Sequence, residues 1–166
     1  MEKYIKGRVW RFSENVDTDQ IIPAIYLVTG DKQELAKHAF ENVRPDFAKD
    51  VTEGDIIVAG PNFGSGSSRE HAPRALLGAG IKCVIAPSFA RIFYRNSINI
   101  GLPLVECDVD AADGDVLAID FEDGKIVNTN TSAGYIFPSL PDFLVDLLDV
   151  GLIENTKRKL ALSNFQ

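Results

Sequence analysis

Residues 56–71 of the chain read IIVAGPNFGSGSSREH, an apolar run followed by a stretch rich in glycine and serine. A continuous apolar run of this kind is typical of a strand that is buried on both faces of a sheet. Beyond the stretch, small and apolar residues recur at helical spacing, at Ala72, Ala75, Leu76 and Ala79. The sequence therefore predicts a strand, a glycine-rich loop and a helix, and the apolar run at residues 83–86 supplies the next strand of a β-α-β unit.

The segments around this unit predict further strands. We expect an opening strand at Ile5–Phe12, where apolar residues alternate with polar ones, and a third short strand at Leu102–Val105. Two more strands, at Val116–Phe121 and Lys125–Asn128, flank a Glu-Asp-Gly sequence whose Asp-Gly pair suits the tight turn of a β-hairpin. The sheet is therefore expected to be small and mixed.

Helical spacing recurs in four further segments, Lys32–Phe40, Ser88–Ile98, Pro141–Val150 and Ile153–Leu162. Ser88 is expected to cap the second of these helices. The acidic stretch Val16–Pro23, which ends in a proline, is predicted to be a loop. Together these segments predict one α/β domain over residues 1–166, with a small mixed sheet, crossover helices, an added β-hairpin and C-terminal helices.

Composition and charge exclude several classes of function. The chain has 166 residues, of which 45% are hydrophobic and 25% charged, as in an ordinary globular domain. Its net charge of -7 argues against binding to nucleic acid or to an anionic membrane, because both need a surplus of Lys and Arg. No apolar run approaches the ~20 residues that span a bilayer. The first residues also lack the apolar segment of a signal peptide, so the cytoplasm is the expected location.

The chain contains two cysteines, Cys83 and Cys107, each within an apolar run. They do not form a CxxC pair, and two thiols are too few for a disulfide framework or for the ligands of an iron–sulfur cluster. Buried, unreactive thiols are the simpler interpretation. We therefore expect this chain to bind no metal or cofactor by itself.

The glycine-rich loop has the features of an anion site but not those of a nucleotide site. Arg69 occupies the third glycine position of the dinucleotide fingerprint G-x-G-x-x-G, where a side chain would spoil the packing of helix on strand. No Gly-Lys-Ser/Thr follows, as a phosphate-binding P-loop requires. Glycines such as Gly66 let the backbone approach a ligand, a helix N-terminus offers N–H groups, and the guanidinium of Arg69 suits a carboxylate. A small carboxylic acid is therefore the expected ligand.

Ser67 has two interpretations from its position alone. Ser67 and Glu70 have the spacing of a capping box, in which both side chains only satisfy free N–H groups at the start of a helix. The hydroxyl of Ser67 could instead take part in chemistry at the anion site. The residue types by themselves leave both interpretations open.

Residues 62–72, Asn-Phe-Gly-Ser-Gly-Ser-Ser-Arg-Glu-His-Ala, resemble the serine–arginine loop of the swivelling domain of the aconitase superfamily. Residues 88–96 are similar to the second signature of that domain, and residues 16–23 and 26–28 resemble N-terminal pieces of its stand-alone small subunits. The resemblance runs from about Ile5 to Glu106. It implies a swivelling β/β/α fold and a hydro-lyase divided between two chains, in which a separate large subunit holds a [4Fe-4S] cluster.

The resemblance also implies roles for individual residues. The position that matches Ser67 is the catalytic base, whose alkoxide takes the Cα proton of the substrate. Ser68, Arg69 and Gly66 bind the substrate, and Arg69 also polarises the surroundings of the base. Asp19 matches an active-site position, with an Asx turn as its structural alternative.

Four other residues near these motifs are expected to be structural. His71 follows the glycine-rich loop in the first helical turn, and His38 lies on the short helix as a surface or core-filling residue. Arg91 and Arg95 are four residues apart on one helical face, where they hold the loop or an interface, with carboxylate binding as the alternative.

The loop Tyr26–Thr29 is where the resemblance implies that the substrate is distinguished. Superfamily members that act on a third carboxylate carry an arginine in this loop, whereas isopropylmalate-type members carry an apolar residue. Val28, beside Thr29, would pack against a branched alkyl group and offers no charge to a γ-carboxylate. The resemblance therefore implies isomerisation of 2-isopropylmalate to 3-isopropylmalate by dehydration and rehydration, a step of leucine biosynthesis.

Two residues depart from the usual pattern of isopropylmalate-type members. Ile25 stands where arginine is common, and Thr29 where tyrosine is frequent. Homoaconitase, citramalate dehydratase and 2,3-dimethylmalate dehydratase therefore remain as alternatives. A non-catalytic module that binds small carboxylates is an alternative from another class.

Overall fold

The computed structural model describes residues 3–139. The helices in this part of the chain are α1 (Thr18–Ile21), α2 (Lys32–Ala36), α3 (Asp46–Asp50), α4 (His71–Gly78) and α5 (Arg91–Ile100), with one 3-10 turn at Ala24–Tyr26. The strands are β1 (Tyr4–Arg11), β2 (Ile56–Val58), β3 (Cys83–Ala86), β4 (Leu104–Glu106), β5 (Val116–Asp120), β6 (Lys125–Asn128) and β7 (Gly134–Ile136). None of these helices is long and apolar enough to cross a membrane.

The seven strands form one mixed sheet in the order β4-β3-β2-β1-β5-β6-β7. Strands β1 to β4 are parallel, and β5, β6 and β7 continue from β1 as an antiparallel meander. Residues 9–11 of β1 pair with β2, whereas residues 4–8 pair with β5, so this strand joins the two halves of the sheet. The predicted α/β class, the β-α-β unit and the added hairpin are therefore confirmed.

The core consists of two clusters on opposite faces of the parallel strands. Ile57 and Val84 face the helices, where they join the aromatic rings of Phe12, Phe40 and Phe47. On the other face, a second cluster combines apolar residues of the parallel strands with residues of the antiparallel half: Ile56, Val58, Cys83, Ile85, Leu117, Ile119 and Ile126. Because both halves contribute to one cluster, the sheet curls over itself, and the layers are antiparallel strands, parallel strands and helices. This is the expected β/β/α arrangement.

Several local predictions need correction. Residues 16–23 are not a continuous loop, because a capping box between Asp17 and Gln20 starts the short helix α1. Helix α2 stops at Ala36, and the predicted helix does not reach Phe40 because that residue takes a positive φ of 57°. Helix α3 and strand β7 were not expected from the sequence. The two helices predicted for 141–150 and 153–162 lie outside the described residues, as does part of the single domain predicted over 1–166.

Ser88 does not cap the helix that follows it. Helix α5 begins at Arg91, its N-cap is Ala90, and that cap makes no side-chain hydrogen bond. The hydroxyl of Ser88 instead accepts a hydrogen bond of 2.8 Å from the backbone N–H of Asn62. The serine therefore ties the glycine-rich loop to the segment after β3.

Asp55 joins the start of β2 to β1. Its carboxylate is 4% exposed and accepts hydrogen bonds from the indole N–H of Trp10 at 2.8 Å, from Arg8 at 2.9 Å and from the backbone N–H of Thr52 at 2.9 Å. The guanidinium of Arg44 lies over the ring of Trp10, 4.6 Å from its centre. A buried carboxylate with three donors is satisfied, whereas its removal leaves the buried indole N–H of Trp10 without its acceptor.

We expect Asp55→Ala to lower the free energy of unfolding by about 2–3 kcal/mol, because the buried indole N–H of Trp10 loses a charged acceptor. Glu53→Ala provides a matched control, since Glu53 is exposed and lies 3.6 Å from Lys82 in a surface ion pair. The control should lose less than about 1 kcal/mol. Denaturant titration of both variants measures the difference, and equal losses would contradict the structural role given to Asp55.

Candidate active site

Three chain segments run side by side beyond the carboxyl ends of β1, β2 and β3. The N–H of Gly64 donates to the carbonyl of Val16 at 2.7 Å, and the N–H of Thr18 donates to the carbonyl of Ser65 at 2.8 Å. On the other side, the segment around Phe63 pairs with residues 88–90, through bonds of 3.1 and 2.9 Å. The glycine-rich loop is therefore held as the middle of three short extended segments. In open α/β sheets, ligands bind at this carboxyl end.

The helix α1 positions the first of these segments against the loop. The carboxylate of Asp17 accepts from the N–H of Gln20 at 2.8 Å, and the side chain of Gln20 accepts from the N–H of Asp17 at 3.0 Å. This capping box places Thr18 at the first position of α1, where it is buried. Its hydroxyl donates to the carbonyl of Ser67 at 3.0 Å. Thr18, which the sequence analysis missed, therefore fixes the backbone of Ser67.

Gly64 permits the loop to lie directly on helix α5. It has a positive φ of 84°, and a Cβ at this position would come within 2.2 Å of the ring carbon Cγ of Phe93. Gly66 has a φ of 93°, with the hydroxyl of Thr18 3.5 Å from the position of a Cβ. Any other residue at these two positions would be strained, because L side chains rarely adopt such a φ.

A cavity of about 160 Å³ lies between the loop and α5. Its walls are the candidate loop residues on one side and the first turn of α5 on the other: Thr18, Gly64, Gly66, Ser67, Ser68, Arg69, Ala90, Arg91, Ile92 and Phe93. The structure therefore brings together four of the predicted site residues, Gly66, Ser67, Ser68 and Arg69. It also adds Arg91, for which carboxylate binding was the alternative interpretation.

The capping interpretation of Ser67 is wrong. Helix α4 begins at His71, and its N-cap is Glu70, which makes no side-chain capping bond. Glu70 instead lies 3.5 Å from Arg74 in an ion pair. Ser67 is exposed at the cavity, and so is Ser68. The hydroxyl of Ser67 therefore does not cap helix α4.

Arg69 and Asp19 form a salt bridge at the edge of the cavity. The side chain of Arg69 is 15% exposed, whereas that of Asp19 is 65% exposed. A guanidinium carries five N–H donors in a fixed plane. Asp19 is therefore next to the loop, as expected, and holds one side of the guanidinium. The Asx interpretation applies to its neighbour Asp17 instead, whose side chain starts α1.

The helix terminus at the cavity is that of α5 and not that of α4. Residues 90–93 line the cavity, and the first N–H groups of a helix have no carbonyl partner within it. Aligned peptide dipoles also give this end a partial positive charge. With Arg69 opposite, the cavity presents two sources of positive potential to an anion. From the sequence, this role was expected of α4, the helix that follows the loop in the chain.

Val28 and Thr29 do not line this cavity. Val28 is 94% exposed, and the hydroxyl of Thr29 accepts from the N–H of Asp31 at 3.1 Å. Ile25, on the same loop, is 74% exposed. Two large apolar side chains therefore project from a loop that follows the Asp19 helix.

The two cysteines lie away from the cavity. Cys83 is fully buried in β3, and burial raises the pKa of its thiol far above the usual range. Burial and the nearby Asp108 also raise the pKa of Cys107, whose Sγ lies 3.8 Å from the carbonyl of Ile136. Within residues 3–139, no three His, Cys, Asp or Glu side chains gather as metal ligands.

Known proteins resemble this chain over most of its length. Residues 2–108 match the family described as the aconitase C-terminal domain. The chain is 54% identical to a 3-isopropylmalate dehydratase small subunit from Methanosarcina mazei, over 95% of this chain and 98% of the relative. It is also 54% identical to a methanogen homoaconitase small subunit from Methanothermobacter thermautotrophicus, over 93% of this chain and 91% of that one.

A solved structure has the same fold over nearly the whole length. The crystal structure of a 3-isopropylmalate dehydratase from Methanocaldococcus jannaschii superposes with a TM-score of 0.91. The two chains are 46% identical, with 98% of this chain and 99% of the other covered. The protein therefore belongs to the aconitase C-terminal domain family.

Proposed function

We propose that this chain is the small subunit of a 3-isopropylmalate dehydratase, a hydro-lyase of leucine biosynthesis. With a large subunit it would isomerise 2-isopropylmalate to 3-isopropylmalate by removing and re-adding water. The observation that carries the proposal is one cavity lined by Ser67, Arg69 and the start of α5, in a chain that aligns along its length with such small subunits.

Ser67 is the base in this proposal. Its hydroxyl, once deprotonated, takes the proton from the substrate carbon next to the one that loses its hydroxyl, and the electron pair of that C–H bond forms the double bond. On rehydration the same oxygen returns a proton to carbon. A serine alkoxide needs stabilisation, and the N–H groups of α5 and the guanidinium of Arg69 supply positive potential beside it.

Arg69 binds a substrate carboxylate. Its side chain is mostly buried, and its salt bridge with Asp19 fixes the plane of the guanidinium while leaving other N–H donors free for a ligand. Asp19 therefore orients Arg69, and Gly66 and Ser68 line the carboxylate position. Bidentate Arg–carboxylate pairs add geometric specificity as well as energy.

The [4Fe-4S] cluster belongs to the large subunit in this proposal. The thiols of Cys83 and Cys107 do not fit a cluster at the cavity, because neither lies among the residues that line it. The chemistry that such a cluster supplies is Lewis acidity toward the hydroxyl that leaves the substrate. This chain supplies the base and the carboxylate site.

The choice of substrate rests on Val28. An apolar side chain at this position suits the branched alkyl group of 2-isopropylmalate and leaves a γ-carboxylate unpaired. Homoaconitase remains the second candidate, since one of its small subunits is equally identical to this chain. Citramalate and 2,3-dimethylmalate remain as further alternative substrates. The cytoplasmic location and the single domain over residues 1–166 stay predictions.

The isolated chain should show neither iron–sulfur absorbance nor hydro-lyase activity, because it supplies only part of the site. Addition of the separately purified large subunit should give turnover of 2-isopropylmalate. Each subunit assayed alone is the control. Robust turnover by this chain alone would contradict the two-chain proposal. Binding of 2-isopropylmalate without turnover in the mixture would favour a carboxylate-binding module.

Ser67→Ala should reduce kcat of the assembled enzyme by about a hundredfold or more, the range lost with a general base. The free energy of unfolding should change by less than about 0.5 kcal/mol, because Ser67 does not cap α4. Ser65→Ala is the matched control on the same loop and should keep most of the turnover. Steady-state kinetics and denaturant titration test both statements. Near-normal kcat in Ser67→Ala would remove the proposed base.

Val28→Arg should lower kcat/KM for 2-isopropylmalate, because a guanidinium would be desolvated against an alkyl group without a partner. It should raise the relative kcat/KM for a tricarboxylic substrate by about ten- to a hundredfold, the value of a charge-assisted hydrogen bond. Ile136→Arg, at an exposed apolar residue on β7, is the control for a new surface charge away from this loop. If Val28→Arg leaves the ratio of the two substrates unchanged, Val28 does not read the substrate.

A further inference from the structure

Tyr26, on the loop that carries Val28, forms a cluster with His38 and Glu41 of a neighbouring segment. The ring of Tyr26 stacks on that of His38, with centres 3.7 Å apart and planes 6° from parallel. The hydroxyl of Tyr26 donates to Glu41 Oε2 at 2.6 Å, and Nδ1 of His38 lies 3.1 Å from Oε1 of the same carboxylate. Glu41 therefore joins both aromatic side chains, although no sequence pattern connects the three residues.

The electrostatics of this cluster favour its hydrogen bonds. The hydroxyl of Tyr26, followed by His38, lowers the pKa of Glu41, so its charged form is favoured. The bond to Glu41 in turn raises the pKa of Tyr26, so that the phenol keeps its proton. Near neutral pH the phenol of Tyr26 is therefore neutral and the carboxylate of Glu41 is charged. A hydrogen bond between these two forms is a strong one.

The loop has few other contacts that fix its position. The N–H groups of Tyr26 and Leu27 bond locally, to Pro23 and Ala24. Arg74 of α4 reaches the carbonyl of Gly30 at 3.4 Å, at the far end of the loop. Val28 itself is almost fully exposed. Leu27 also packs against the apolar cluster on the helix face of the sheet. Within residues 3–139, the side chain of Tyr26 provides the hydrogen bond and the ring stacking that connect this loop to residues 38–41.

Residues 38–41, which we term the platform, are themselves attached to the Asp19 helix. Phe40 lies between the two polar members of the cluster, is fully buried and has a positive φ of 57°. Its N–H donates to the carbonyl of Ile21 at 2.9 Å, and its ring stacks on Phe12 with centres 4.2 Å apart. A bulky residue keeps such a φ only where its surroundings fix it. The platform is therefore a rigid base.

We propose that Tyr26, His38 and Glu41 are positioning residues that set where Val28 stands relative to the cavity. The platform bonds to the end of the helix that bears Asp19, and through Tyr26 it also holds the loop that bears Val28. The platform thus fixes the spacing between the carboxylate site at Arg69 and Val28, the residue that contacts the rest of the substrate. The consequence for the substrate rests on the proposed function, whereas the attachment of the loop does not.

Hydrogen exchange of the full chain tests the attachment without any activity. In Tyr26→Phe the stacked ring remains and only the bond to Glu41 is lost, so exchange of the peptide that covers residues 24–30 should accelerate by about two- to tenfold. Glu41→Ala should do the same, and Glu41→Gln, which keeps an acceptor for the phenol, should restore part of the protection. Unchanged exchange in both Tyr26→Phe and Glu41→Ala would overturn the proposal.

Glu34→Ala is the matched control. Glu34 forms an exposed ion pair of 2.8 Å with Lys37, three residues apart as His38 and Glu41 are, in the segment that precedes the platform. It should leave the exchange of residues 24–30 and the kinetics unchanged. If the loss of any carboxylate from this surface had the same effect, Glu34→Ala would accelerate exchange as much as Glu41→Ala. That result would contradict a specific role for Glu41.

The assembled enzyme tests the consequence for the substrate. Tyr26→Phe should raise KM for 2-isopropylmalate by about two- to tenfold with kcat changed less, because binding and not the base is affected. The ratio of kcat/KM between 2-isopropylmalate and citramalate should fall, since a misplaced Val28 packs less well on the larger alkyl group. Loss of kcat with unchanged KM and ratio would overturn this part.

The two failures are distinguishable. Should the wild-type complex not act on 2-isopropylmalate at all, the proposed function fails, while the exchange experiment still decides whether the cluster holds the loop. Faster exchange together with an unchanged substrate ratio would overturn the positioning role and leave the proposed function intact.

Discussion

The site depends on the backbone pairing of three segments beyond the parallel strands. Residues 63–65 lie between residues 16–18 and residues 88–90, and each side contributes main-chain hydrogen bonds. A glycine-rich loop that was free on both sides would lose much conformational entropy on ordering. Here the entropy cost of ordering the loop is part of the cost of folding. The flanking segments follow β1 and β3, and the core fixes these two strands. The loop is thus formed before a ligand arrives.

Only a few polar side chains contribute to the electrostatic potential around this loop. The positive potential at the cavity comes from the mostly buried guanidinium of Arg69, from the exposed Arg91 and from the first turn of α5, while the chain as a whole carries a net charge of -7. Asp19 neutralises part of Arg69 but leaves the guanidinium plane available. An anionic substrate therefore meets a local site whose sign is opposite to that of the surrounding protein, and fixed donors there need little reorganisation.

Much of the fold could be predicted from the sequence, because its strands and its helices α4 and α5 have clear periodicity. The apolar runs at 56–59 and 83–86 predicted the β-α-β unit, and the Asp-Gly turn predicted the added hairpin. Helix α1 was missed because its signal is the four-residue capping box at Asp17, which lies in a stretch that otherwise reads as a turn. Short elements such as α3 and β7 carry too few residues to show a period.

The residues of the candidate site that are contiguous in the sequence could be predicted. Those that come together through tertiary contacts could not. Ser67, Ser68, Arg69 and Gly66 are contiguous, so one motif located them together. The helix terminus was assigned to α4 because it follows the loop in sequence, whereas packing of Gly64 on Phe93 brings α5 there instead. His38 was taken as a filling residue because its partner Tyr26 lies twelve positions away, beyond any local pattern.

The exposure of the site gives a physical reason to expect that the residues this chain supplies need a second chain for catalysis. Ser67 and Ser68 face solvent, and an alkoxide in contact with bulk water is stabilised only weakly by nearby dipoles, because the high dielectric constant reduces every electrostatic interaction. Closure by another chain would exclude water, and the same N–H groups and guanidinium would then act far more strongly. The exposed side chain of Ile92, which lines the cavity, would lose its contact with water in the same step. If Ser67 is the base, as proposed, the surface whose burial favours association is also the surface whose burial strengthens the stabilisation of its alkoxide, so that activation and assembly would coincide.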